Sequence, residues 1–69
     1  MERTVKVGKM PGKITEVVVD QQTTIGEALS YAELSPEGYD IKVDGNIKSA
    51  DDLVGNANLI ILAKQVKGN

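Results

Sequence analysis

One stretch of this chain, residues 24–32, keeps a helical apolar period, and that stretch limits the architectures open to everything around it. Ile25, Ala28, Leu29 and Ala32 fall at i, i+3, i+4 and i+7. They therefore line one side of a helix about two to three turns long. Thr24 and Glu27 have the S/T-x-x-E spacing in which each side chain satisfies a free backbone N–H at a helix start. Gly26 in the first turn costs ~1 kcal/mol relative to alanine, and close packing of helix on sheet is the expected reason for it. Ser35-Pro36-Glu37-Gly38 stops the helix, because proline disfavours a helical residue before it and glycine frees the chain to turn. The end is expected near Glu33 or Leu34. A lone apolar stripe must be covered by another layer, so the rest of the chain has to supply that layer.

The remaining segments read as strands. Thr4-Val5-Lys6-Val7 alternates polar and apolar residues, as a strand does with one face buried and one wet. Met10-Pro11-Gly12-Lys13 follows as a turn, and Ile14–Val19 returns as a second strand. In that strand either Val17 and Val19 point inward, with Glu16 and Val18 outward, or the parity is reversed. Tyr39-Asp40-Ile41-Lys42-Val43 alternates again, and Asp44-Gly45 is a two-residue hairpin signal leading into Asn46-Ile47-Lys48. Residues 49–54 have the composition of a short capped turn of helix. Leu59-Ile60-Ile61-Leu62-Ala63 is expected to be the most buried strand, since apolar side chains on both parities imply cover on both faces. The order is two strands, a helix, two strands, a short turn and a last strand. The reading is an α+β fold, a mixed four- to five-stranded sheet crossed by one α-helix, with the last strand pairing centrally and parallel with the first.

A chain of 69 residues makes one domain, 1–69, with 64–69 as a tail, near the lower size limit for a core without disulfides or metal. Cysteine and histidine are absent, which removes disulfides, thiolate nucleophiles, imidazole bases and His- or Cys-ligated metals. No cofactor is expected, and the chain does not read as an enzyme. Phe and Trp are missing too, so branched aliphatics form the core with Tyr31 and Tyr39 as its only rings. Eight basic and ten acidic residues are interspersed, a formal net charge of -2. That gives no field to recommend nucleic acid or an anionic membrane as partner, and stacking aromatics for nucleic acid are nearly absent. The longest apolar run is too short for a bilayer, and Met1-Glu2-Arg3-Thr4 opens no signal-peptide core. A cytoplasmic protein is the expectation.

Three sequence features invite a chemical reading and fail it. Asp51-Asp52 is the only adjacent acidic pair, and two carboxylates lack the further oxygen ligands of a hard-cation site. Capping of the short turn explains them. Val7-Gly8-Lys9-Met10-Pro11-Gly12-Lys13 has two glycines and a Gly-Lys pair without the spacing or hydroxyl of a phosphate loop. Asp44-Gly45-Asn46 matches a fragment of a calcium loop and lacks the rest.

The element order and several local segments resemble the β-grasp fold of ubiquitin and the small sulfur carriers. Thr23-Thr24-Ile25-Gly26-Glu27-Ala28-Leu29 looks like the helix start of the thiamine-pathway sulfur carrier and the molybdopterin synthase small subunit. Val43-Asp44-Gly45 looks like their hairpin, and residues 59–68 like their last strand and tail. The chain also resembles short β-grasp proteins of phages and mobile elements, which share a Lys-Gly-Asn end. In the carriers a terminal Gly-Gly is adenylated by a partner enzyme, and its lack of side chains lets the carboxylate enter a narrow site. Here the tail ends Lys67-Gly68-Asn69: Gly68 matches the first glycine, and Asn69 brings a β-carbon and an amide to the second.

The resemblance also assigns faces. It places Ile60 and Leu62 in the core and leaves Ile61 and Ala63 on the open side of the sheet. With Val5, Val7, Ile41 and Val43 toward the helix, Lys6 and Lys42 point outward. The expected surface is thus an aliphatic centre flanked by Lys6, Lys42 and Lys48. Outward lysines on strands are ordinarily just solvated, whereas exposed aliphatic groups gain from burial by a partner. The function expected from these residues is a non-catalytic adaptor or inhibitor that docks its open sheet face, an edge strand or its tail against another protein. The alternative is a sulfur or modifier carrier activated by an adenylating enzyme at the tail.

Overall fold

A computed structural model describes residues 2–64. Within them lie β1 (Arg3–Met10), β2 (Ile14–Val19), α1 (Ile25–Tyr31), β3 (Tyr39–Val43), β4 (Asn46–Ile47) and β5 (Leu59–Lys64). The strands form one five-stranded sheet in the order β2-β1-β5-β3-β4. β1 and β5 run parallel, with Val7 opposite Ile60, and every other pair is antiparallel. The mixed sheet and the parallel joining of first and last strands are as the sequence predicts. The tail residues Lys67, Gly68 and Asn69 lie outside the described residues. Lys64, assigned to the tail from sequence, belongs to β5, where it pairs with Tyr39.

The core is a single aliphatic layer between sheet and helix. Val5, Val7, Val17, Val19, Ile41, Val43, Ile60 and Leu62 come from the sheet, and Ile25, Ala28 and Leu29 from the helix. In β2 the inward parity is that of Val17 and Val19, while Val18 is exposed. Full burial of aliphatic side chains of this size stabilises by about 1.5–3 kcal/mol each. Ile60 and Leu62 are completely buried, but Leu59, Ile61 and Ala63 are only half-buried. The expectation of cover on both faces of β5 therefore fails. Flanking strands on either side shield the outer side chains partly, and no layer lies over them among the described residues.

The helix begins as its spacing predicts. The Glu27 amide donates to Thr24 Oγ1 at 3.1 Å, and the Thr24 amide donates to Glu27 Oε1 at 2.9 Å. Gly26 is explained by a loop and not, as expected, by the sheet. Its amide donates to the Ala50 carbonyl at 2.9 Å, and a β-carbon at Gly26 would lie 3.2 Å from that same oxygen. The Ile25 amide likewise donates to the Asp52 carbonyl at 2.8 Å. Residues 49–52 form a capped turn, not a turn of helix: the Asp52 amide donates to the Ser49 carbonyl, and the Ser49 amide donates to Asp52 Oδ2. Thr24 and Leu53 then form an antiparallel bridge, and the Val54 amide donates to the Thr23 carbonyl. The loop carbonyls thus accept from N–H groups that a helix start otherwise leaves unpaired.

The helix stops earlier than expected, at Tyr31, because Glu33 takes a left-handed conformation with φ 61°. The Glu33 amide donates to the Ser30 carbonyl and the Leu34 amide to the Leu29 carbonyl. That is the paired 5→2 and 6→1 closure of a Schellman motif, with Leu34 packed on the core. Glycine normally fills this position, since a β-carbon there is penalised. The Asp44-Gly45 hairpin also uses left-handed geometry at both residues, φ 51° and 89°, as a type I′ turn requires. Asp44 does more than turn the chain. Its carboxylate accepts the amides of Asn58 and Leu59 at 3.0–3.2 Å, and its own amide donates to the Leu59 carbonyl, tying the hairpin to the start of β5.

At the end of β2, Asp20 Oδ1 accepts the Gln22 amide at 2.8 Å and the Thr23 hydroxyl at 3.1 Å. These bonds, the Gln22 amide first, hold its carboxyl below the ordinary aspartate range.

Two measurements follow from these local geometries. Glu33→Gly removes the left-handed penalty and is expected to raise stability by about 0.5–1 kcal/mol, read as a higher urea midpoint at unchanged slope. Because the Asp20 carboxyl is depressed in the folded state, its contribution is present above the unfolded aspartate value and is lost as pH falls through the folded value. Carboxyl NMR titration should place its midpoint below that of an aspartate in an unstructured peptide, and Thr23→Val should move it upward.

Candidate interaction face

Outward-pointing residues of the sheet meet in rows set by strand register. One row crosses the whole sheet: Ile14 of β2 opposite Gly8 of β1, Gly8 opposite Ile61 of β5, Ile61 opposite Lys42 of β3, and Lys42 opposite Ile47 of β4. On one side of it lies Glu16, Lys6 and Leu59, and on the other Met10, Ala63 and Asp40. Of the residues expected on this face, the structure brings together Lys6, Lys42, Ile61 and Ala63. Ile61 and Ala63 are half-buried, and both lysines are exposed.

Lys48 is not part of this surface. β4 ends at Ile47, and Lys48 lines a recess of about 500 Å³ on the helix side with Ile25, Val43 and Asp52. The reason is parity: Asn46 pairs with inward-facing Val43 and Ile47 with outward-facing Lys42, so the next residue returns to the helix side. In that recess the carboxylates of Asp44 and Asp52 are already engaged by backbone amides. They hold the loop in place.

The face contains more aliphatic surface than the sequence reading found. Met10, Ile14, Val18 and Ile47 are all exposed, between 55% and 69%. A signal for two of them was present, because Ile14 and Val18 share the outward parity of Glu16. Met10 and Ile47 depend on register with Ala63 and Lys42, which no local pattern specifies. Gly8 is what lets the row lie flat. A β-carbon there would stand 2.7 Å from the Lys13 carbonyl oxygen and 2.8 Å from the Ile14 side chain. Beside the row, Met10, Lys42, Leu59, Ile61 and Ala63 line a shallow, mostly apolar recess of about 260 Å³.

Chemically, such a surface offers apolar contact together with the charged groups of Lys6, Lys42, Glu16 and Asp40. Among the described residues no group of three or more carboxylates is placed to hold a metal. Among them, too, no helix is long and apolar enough to cross a membrane.

No protein-family model and no curated protein matches the sequence. A solved structure does match: the ubiquitin of Caldiarchaeum subterraneum, at 14% identity, with a TM-score of 0.67 over 100% of both chains. At that identity the likeness concerns backbone architecture. Together with one helix crossing a mixed sheet whose first and last strands run parallel at its centre, it gives this chain the α+β, ubiquitin-like β-grasp fold.

Proposed function

We propose that the protein is a non-catalytic interaction module, an adaptor or inhibitor, that docks another protein on the open face of its sheet. The observation that carries this reading is the uncovered aliphatic row Ile14, Ile61 and Ile47, with Met10 and Ala63 beside it and Lys6 and Lys42 among them. Apolar surface gathered on a rigid sheet gains by being covered. The lysines suit a partner whose apolar contact is rimmed by carboxylates, and they would speed its encounter more than they tighten it. Lys48, on the other side of the sheet, has no part in this.

The competing reading is a carrier activated by an adenylating enzyme. It rests on Gly68, which matches the first glycine of a carrier tail in sequence. Intact mass after incubation with a carrier-activating enzyme, ATP and a sulfur donor separates the two. A thiocarboxylate product supports the carrier, and an unchanged mass with a competent enzyme leaves the docking module.

For the docking module, the decisive variant changes Lys6, Lys42 and Ile61 together to alanine. Affinity for a captured partner should fall at least about tenfold, in line with the loss of an apolar anchor and its flanking charges. Lys48→Ala should leave it unchanged. Hydrogen exchange on the complex should slow at Leu59–Lys64 and across β1. Unaltered affinity in the triple variant, with its fold intact by circular dichroism, would sink the proposal.

A further inference from the structure

Sulfur is scarce in this chain. The sequence has no cysteine and two methionines, Met1 and Met10, so Met10 carries the only sulfur atom among the described residues. The buried cluster between sheet and helix is built from Val, Ile, Leu and Ala, with no thioether in it. Met10 ends β1 on the open face instead, where it stands opposite Ala63 and is 60% exposed. With Leu59, Ile61 and Ala63 it lines the apolar recess beside the aliphatic row.

A reduced thioether suits that position. It is apolar and polarisable and turns about three bonds, so it adapts its contact to whatever covers the recess. Oxidation reverses this, because a sulfoxide is polar and costs free energy to bury unless it meets a hydrogen-bond donor. In a core the same change disrupts packing. At an exposed strand end it leaves the core untouched and alters only the surface, where the neighbours of the new polar group are Leu59, Ile61 and Ala63.

We infer that Met10 is an oxidation site, and that its conversion to the sulfoxide by a peroxide weakens apolar docking on the open face. The inference rests on the docking role proposed above and gives that face a regulation. In the step, the thioether sulfur attacks one peroxide oxygen, the O–O bond breaks and an S–O bond forms. The proton on the transferred oxygen passes to the departing one, which leaves as water. Sulfur gives up two electrons and the peroxide takes them. Reversal requires reductases for both sulfoxide epimers, which remove the oxygen as water while two thiols become a disulfide. This chain has no thiol, so the reductant is supplied from outside it.

The test uses the full chain, hydrogen peroxide and the dye anilinonaphthalene sulfonate, whose rings probe the recess and whose sulfonate suits Lys6 and Lys42. Peptide mapping should find one added oxygen on Met10, gained at a rate within about threefold of that in an unstructured methionine peptide. The oxidised protein should keep its circular dichroism and its urea midpoint. Dye binding, read from NMR shifts at Met10, Ile61 and Ala63, should weaken at least about fivefold, and both sulfoxide reductases with dithiothreitol should restore it. Met10→Leu, which keeps Met1, should bind the dye equally before and after peroxide. Met10→Gln should bind as weakly as the oxidised chain. The inference is overturned if Met10 resists peroxide in the folded protein, if its oxidation lowers the urea midpoint, or if dye binding on the face is unchanged by it. It is also overturned if Met10→Leu remains as sensitive to peroxide as the native chain. Failure of the docking role itself looks different, and the inference falls with it: the reduced protein then gives no dye shifts on the face, or the Lys6, Lys42 and Ile61 triple variant binds the dye as well as the native chain.

Discussion

The fold depends on the parallel pairing of β1 with β5. Those strands are the two ends of the described chain, and bringing them together makes the centre of the sheet. Their inward residues, Val5, Val7, Ile60 and Leu62, are essentially removed from water. All of the helix stripe that matters, Ile25, Ala28 and Leu29, belongs to the same cluster. With no disulfide available and few aromatic rings, stability has to come from this aliphatic layer. Loop-closure entropy for so distant a pairing is repaid only when both strands and the helix are in place, which ties formation of the core to the whole topology.

Around that centre, backbone polar groups are satisfied by connections that are short in space and long in sequence. Residues 50–54 take up the first amides of the helix and bridge to Thr23 and Thr24. Asp44 receives the amides that open β5, fifteen residues away in the case of Leu59. Each loop is therefore part of the scaffold, and among the described residues no buried side-chain polar atom lacks a partner. The scaffold leaves two uncovered surfaces, the outer face of the sheet and the outer edge of β2.

Those surfaces differ in what they present. The face presents aliphatic area interrupted by Lys6, Lys42, Glu16 and Asp40. Among the described residues the outer side of β2 pairs with no strand, and Lys13 and Asp20 flank it.

Much of this architecture is legible in the sequence because local rules decide it. The Thr24 to Glu27 spacing marks the helix start, Asp44-Gly45 marks the hairpin, and alternation marks the strands, since capping, turn geometry and side-chain parity act over a few residues. The helix end is misread because Glu33 enters a conformation that its side chain disfavours, held there by Leu34 packing on the core. Gly26 is read correctly as a close approach and assigned to the wrong neighbour, because Ala50 reaches it only through the folded loop. Lys6, Lys42, Ile61 and Ala63 are placed correctly from parity once the fold is supposed. Lys48 is misplaced, and Met10 and Ile47 are missed, because each depends on register or on where an edge strand stops. The sequence by itself thus determined which segments form and which way most side chains point. Tertiary structure alone decided which strands are neighbours, which face stays bare and which edge stays open, because those outcomes depend on pairing between residues far apart in the chain.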